Sequence, residues 1–144
     1  MKAKQLASDG ALTYALIFEI GDEVMRGIHE FARREGLTAA HFTAIGAFSD
    51  ALLGYFDWER KDYRKIPVGE QVEVLSLVGD VALLSGDPKV HAHVVVGYAS
   101  GAAAGGHLLE AHVRPTLEVV LTETPAHLRR VFNEAAQLPL ITLE

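Results

Sequence analysis

A chain of 144 residues with 49% hydrophobic and 22% charged residues can bury one sizeable core, which predicts a single compact domain and excludes a disordered chain. Its formal charge of −6 disfavours a protein that coats nucleic acid, because phosphate backbones attract clustered cations. The absence of cysteine excludes disulfides, thiolate metal sites and cysteine nucleophiles.

The N-terminal residues 1–10 carry lysines but lack the apolar core of a secretory signal. We interpret them as a loose N-terminal segment of one domain that covers residues 1–144. No stretch is long and apolar enough to span a bilayer, so we expect a cytoplasmic protein without membrane association.

The first predicted elements are a strand and a helix. Residues 12–20 alternate apolar and polar positions, as a half-buried strand does. Apolar residues then recur at helical spacing, which predicts a helix over residues 23–35, with Asp22 as its N-cap and Gly36 at its C-terminal end.

A meander of antiparallel strands should follow the helix, because apolar stretches alternate with Gly, Asp, Pro and charged turns. The predicted strands are residues 39–48, 51–58, 71–79, 81–84, 90–98 and 116–124. Residues 99–105 are so rich in Gly and Ala that they are interpreted as a loop.

The C-terminal region is predicted to form a second short helix and an edge strand. The helix would begin at Pro125, with Leu128, Val131, Phe132 and Ala135 on its apolar side, and residues 139–144 would form the strand. The predicted fold class is therefore α+β, a mainly antiparallel sheet with two helices.

Three histidines are the best chemical lead in the chain. His91 and His93 are two residues apart on a predicted strand, so both rings point to one face with Cα atoms about 6.5 Å apart. His107 follows Gly105 and Gly106, which would let its backbone approach the pair closely. Two surface histidines are the commoner explanation of a His-x-His pair alone, but the third favours a metal site for zinc or a similar ion.

Several further residues are secondary candidates. Glu110 or Glu118 could place a carboxylate near the ion or orient a ring, although Glu118 also fits a simple paired polar residue. His112 follows the glycines closely enough to approach the same site, and Glu73 has no assigned role. The sequence contains neither a nucleophile elbow nor a Walker or dinucleotide-binding loop, so it indicates no catalytic residue and no nucleotide cofactor.

Taken together, six segments between Leu12 and Leu143 resemble the plants and prokaryotes conserved (PPC) domain family, in its stand-alone prokaryotic type. They are Gly21-Asp22-Glu23, Ala44-Ile45-Gly46-Ala47, the region from Gly69 to Gly79, His91-Ala92-His93, Gly105-Gly106-His107-Leu108 and Glu118-Val119-Val120-Leu121. The resemblance implies an α+β fold on an antiparallel sheet, a homotrimer and, in some prokaryotic members, a metal bound at the positions of His91, His93 and His107. It implies no known reaction.

Two hypotheses follow, and they belong to different classes. The first is a trimeric protein that binds a divalent metal ion, with zinc expected, and that binds or acts on a small molecule at the ion. The second is a homo-oligomerising regulatory or DNA-associated assembly module without catalysis. The chain lacks the AT-hook of the plant members and is net negative, so DNA binding by this chain itself is not supported.

Overall fold

In the computed structural model, residues 1–7, 10–124 and 127–143 are described, and they form nine strands and one helix. In chain order the elements are β1 Lys2–Ala7, β2 Thr13–Phe18, α1 Val24–Glu35, β3 Ala39–Asp57, β4 Asp62–Val68, β5 Val72–Leu84, β6 Asp87–Gly97, β7 Ala103–Glu123, β8 Arg129–Asn133 and β9 Leu138–Thr142. All nine strands belong to one sheet.

Four long strands close on themselves within this sheet. β3 pairs with β5, β5 with β6, β6 with β7, and β7 returns to pair with β3. The β1–β2 hairpin extends the sheet from β7, β4 adds to β3, and the β8–β9 hairpin adds to β5. Phe42, Leu77, Val94 and Leu108 are fully buried members of the core, one from each strand of the circuit, while the alternate residues face outward.

The predicted fold class was wrong. The described residues contain a single short helix, and the sheet is mixed because β8 runs parallel to β5. The region predicted as a second helix forms strand β8 from Arg129 to Asn133, which pairs antiparallel with β9. The local apolar spacing was overridden by this hairpin and by the burial of Arg130 against β5. Pro125, the predicted start of that helix, lies outside the described residues.

Two pairs of predicted strands are in fact continuous. Residues 39–48 and 51–58 both belong to β3, and residues 71–79 and 81–84 both belong to β5. A bulge at Gly46 bends β3 without ending it. Gly46 has φ +151°, and a Cβ there would lie 2.3 Å from the carbonyl oxygen of Thr116, so the bulge requires glycine.

The strand at residues 12–20, the helix at 23–35 and the C-terminal edge strand are confirmed as β2, α1 and β9. Gly36 ends the helix with φ +67°, as predicted. The N-cap is Glu23 and not Asp22, since the Glu23 carboxylate accepts hydrogen bonds from the backbone N–H groups of Met25 and Arg26. Strand β1 had no sequence signal and occupies most of the N-terminal segment. Within the described part of the chain, no helix is long and apolar enough to cross a bilayer.

Candidate metal centre

The three candidate histidines meet on the outward face of the sheet where β6 pairs with β7. His93 lies directly opposite His107, and His91 is two residues away on the same face of β6. One ring nitrogen from each of the three lies within 4.8 Å of the others, and Nε2 of His91 is 3.1 Å from Nε2 of His93. Tetrahedral zinc with Zn–N bonds of about 2.0–2.1 Å would place such nitrogens about 3.4 Å apart, so a small adjustment lets the three side chains hold a metal ion.

The glycines before His107 allow this approach, but they do not form the predicted loop. Residues 103–105 of that predicted loop belong to β7 and pair with β6. Glycine is found in this strand because the neighbouring backbone leaves no space for a side chain. A Cβ on Gly106 would lie 2.7 Å from the carbonyl oxygen of Gly54, and one on Gly105 would lie 3.0 Å from that of Val94.

His107 is prepared to act as a ligand. Its Nδ1 is buried and has no hydrogen-bond partner among the described residues, so the ring carries an unsatisfied nitrogen. Burial, followed by the nearby His91 and His93, lowers the pKa of His107 to about 4, and burial also lowers the pKa of His93. Both rings are therefore neutral at pH 7, the form in which imidazole binds metal ions.

A pH dependence of stability follows for the metal-free protein. The pKa of His107 falls from its ordinary 6.5 to about 4 on folding, so the unfolded chain binds a proton between these values that the folded chain does not. Stability contributed above pH 6.5 should be lost as the pH falls towards 4, by about 1–2 kcal/mol after allowance for partial solvent screening. Urea unfolding with a chelator at pH 7, 5.5 and 4.5 measures this loss. His107→Gln should show a smaller loss, and an equal loss would assign the effect to other groups.

An outer layer of contacts holds His91. Asp80 of β5 is paired with His91, and its Oδ2 lies 3.6 Å from His91 Nδ1, while Oδ1 accepts a hydrogen bond from Nη2 of Arg130. Burial opposes ionisation of Asp80, but His91 and Arg130 together lower its pKa. The carboxylate therefore favours the tautomer with the proton on His91 Nδ1, which leaves Nε2 free to bind an ion.

Sequence reasoning missed both Asp80 and Arg130. Asp80 falls in the gap that separated two predicted strands, and Arg130 falls in the predicted second helix. The available signal was the outward position of Asp80 on the same face as Val78, once residues 72–84 are read as a single strand.

Replacing Asp80 with asparagine should weaken metal binding by about 10- to 100-fold, because outer-layer carboxylates orient metal-binding imidazoles and raise their basicity. Competition of the metal-loaded protein with a coloured chelator gives the affinity. Glu70→Gln is the matched control, since Glu70 is exposed in the turn before β5 and lies outside the histidine cluster. Equal affinities of Asp80→Asn and the unmodified chain would contradict this role.

The secondary candidates lie elsewhere and do not belong to the histidine cluster. His112 Nδ1 is 2.8 Å from Oδ1 of Asp50, and that hydrogen bond raises the pKa of His112. Glu110 lies beside His112, with 3.8 Å between Oε1 and Nε2. Glu73 is exposed near the start of β5, opposite Ala47 and Gly97.

A cavity of about 690 Å³ opens beside the cluster, with His91 and His107 in its wall. Its other walls come from α1, the start of β6, Tyr63 of β4 and the β8–β9 hairpin. The Tyr63 ring packs against His107 with 4.8 Å between centroids. This volume is within the usual range of small-molecule sites.

Comparison with known proteins supports the same fold. The sequence profile of the Plants and Prokaryotes Conserved (PCC) domain matches residues 7–125. The chain is similar to a metal-containing protein of Archaeoglobus fulgidus, at 35% identity over 99% of both chains with a TM-score of 0.85. It is also similar to a plant- and prokaryote-conserved (PPC) protein of Pyrococcus horikoshii, at 31% identity over 96% of this chain and 99% of that one, with a TM-score of 0.86.

A curated relative has a different overall size. The chain is 29% identical over 125 residues to the bifunctional protein GlmU of a Synechococcus strain. This match covers 85% of the chain but only 19% of the length of that relative.

Proposed function

The chain belongs to the Plants and Prokaryotes Conserved (PCC) domain family, and we propose that it is a homotrimer that binds a divalent metal ion, zinc first of all, and a small molecule beside it. His91, His93 and His107 are the proposed ligands.

The convergence of three imidazoles, with one ring nitrogen of each within 4.8 Å of the others, is the observation that carries this proposal. A ligand set of imidazoles alone favours zinc over calcium or magnesium, which prefer oxygen. A divalent ion held by three neutral imidazoles keeps a coordination position open, and there it can polarise an oxygen ligand. The similar protein of Archaeoglobus fulgidus is metal-containing, which supports the binding of a metal ion.

The proposed trimer is supported by an apolar area on the outward face of the sheet. Five of its large side chains are between 38% and 61% exposed: Ile17, Ile45, Val78, Val95 and Val120. They come from β2, β3, β5, β6 and β7, and Val78 is paired with His93, so the area adjoins the metal centre. Exposed apolar surface of this extent is typical of an interface between subunits.

The same area also fits the second hypothesis, in which assembly itself is the function. The two functions differ in their need for the histidines. An assembly module would form its trimer without any metal, whereas the metal-binding function requires occupancy in the purified protein.

Metal analysis of the untagged protein tests the proposal. We expect about one zinc ion per chain after gel filtration, and more zinc than manganese or magnesium after exposure to all three. A protein that takes up no zinc when it is offered would contradict the metal function and favour the assembly module.

Mass determination in solution tests the assembly. The expected mass is that of three chains, and Ile45→Glu should give monomers because it places a charge in the apolar area. Leu143→Glu is the control, since Leu143 is 94% exposed near the C-terminus. A monomeric unmodified protein, or an Ile45→Glu variant that remains trimeric, would contradict this interface.

A further inference from the structure

The cavity beside His91 and His107 has an uneven charge. Among the residues that the structure describes, three cationic side chains line it, Arg26, Lys89 and Arg130, against a single carboxylate, Asp87. Asp87 is already occupied, with 3.0 Å from Oδ2 to Nε2 of His29 and 3.3 Å from Oδ1 to Nε of Arg33. The cavity therefore has a surplus of positive charge even without a metal ion.

Lys89 is the cation best placed to act on a ligand. It is two residues before His91 on β6, so it lies on the same outward face. Neither Lys89 nor Arg26 forms a salt bridge with any residue that the structure describes, whereas Arg130 is held by Asp80.

Most of the remaining wall is apolar. Met25 projects from α1, Leu109 from β7, and Leu138 and Leu140 from the β8–β9 hairpin. A phosphate group would need several charged donors, but among the described residues the cavity offers only Arg26 and Lys89 as cations without a salt-bridge partner, and most of its remaining wall is hydrocarbon. A monoanion with an apolar body matches that combination better.

We infer that the cavity binds a small organic carboxylate with a short hydrocarbon chain, its charge beside Lys89 and the histidines and its chain against Met25, Leu109, Leu138 and Leu140. This inference rests on the proposed function, because the ion at the histidines would supply the strongest attraction for the carboxylate. The cationic and apolar walls belong to the chain itself and select the ligand class.

Calorimetric titration of the zinc-loaded protein tests the inference, with 4-methylpentanoate as the probe and 4-methylpentanamide and inorganic phosphate as comparators. The acid should bind at least about tenfold more tightly than the amide, which has the same shape without the charge. It should also bind more tightly than phosphate. Equal binding of acid and amide, tighter binding of phosphate, or no binding of the acid would overturn the inference.

Lys89→Met should weaken binding of the acid by about three- to tenfold without changing the zinc content of the same samples. Lys4→Met, at an exposed position of β1, is the control and should change neither. An acid affinity unaffected by Lys89→Met would overturn the assigned position of the carboxylate. An unmodified protein that does not bind zinc would instead contradict the proposed function. Comparing the binding of the acid and the amide to that metal-free protein would still test the selectivity of the cavity walls.

Discussion

Replacing His107 with alanine should abolish tight zinc binding while the domain still folds. The substitution removes one of three ligands and leaves His91 and His93, a pair that commonly occurs on strand surfaces without a metal ion. We expect the zinc affinity to fall by more than about 100-fold, beyond the effect of losing an outer-layer partner such as Asp80. Zinc content after gel filtration and competition with a chelator measure the change.

The fold of this variant should survive for a physical reason. His107 is half-buried, and its Nδ1 has no hydrogen-bond partner within the described residues, so removal of the ring also removes an unsatisfied polar atom. Thermal unfolding in the presence of a chelator should therefore be similar for the variant and the unmodified chain. His41→Ala is the control, because His41 is exposed on β3 and lies outside the cluster. If His107→Ala kept its full complement of zinc, the ion would have to bind elsewhere.

The second large effect is expected for Arg130→Met, which should destabilise the fold by about 2–4 kcal/mol. Arg130 is 8% exposed and joins the β8–β9 hairpin to Asp80 on β5, and its Nη1 also donates to the carbonyl oxygen of Pro139. Removing one partner of a buried ion pair leaves the other charge uncompensated. The estimate is at the lower end for such pairs because the Asp80 side chain is 30% exposed.

Urea unfolding at pH 7 measures this loss, and Arg129→Met provides the matched control at an exposed neighbouring position of the same strand. The pair can be isolated further with the Asp80→Asn single variant and the double variant. Their combined loss should be smaller than the sum of the two single losses, because both substitutions remove the same interaction. Strict additivity would show that Arg130 stabilises the hairpin without Asp80. Zinc affinity should fall as well in Arg130→Met, since Asp80 would no longer be held beside His91.

The three clustered histidines could be found in the sequence because their geometry is mostly local. His91 and His93 are two residues apart on one strand, so they share a face whatever the rest of the fold does. The glycines before His107 indicated a close approach of the backbone, which the structure confirms at Gly106. Asp80 could not be found in the same way. Its contact with His91 depends on the pairing of β5 with β6, and the predicted break at residue 80 removed it from both strands.

The prediction of a second helix was wrong for a related reason. Leu128, Val131, Phe132 and Ala135 follow helical spacing, and no local signal distinguishes that pattern from a short hairpin. The outcome was decided by distant partners, namely the pairing with β5 and the contact of Arg130 with Asp80. Likewise, the sequence predicted a strand break at residues 49–50, where β3 continues because its long-range pairing with β7 runs through this region.

His93 and His107 are paired across β6 and β7, so metal binding at these histidines would depend on the correct register of the two strands. A register shift of one residue between these strands would turn His93 towards the interior and bring Gly106 or Leu108 opposite it. The three ring nitrogens would then no longer lie close together. Only the native register of β6 and β7 brings the three histidines together to bind an ion. The glycines of β7 have no side chains that could specify this register. A bound ion would therefore stabilise the native register of β6 and β7 relative to shifted ones.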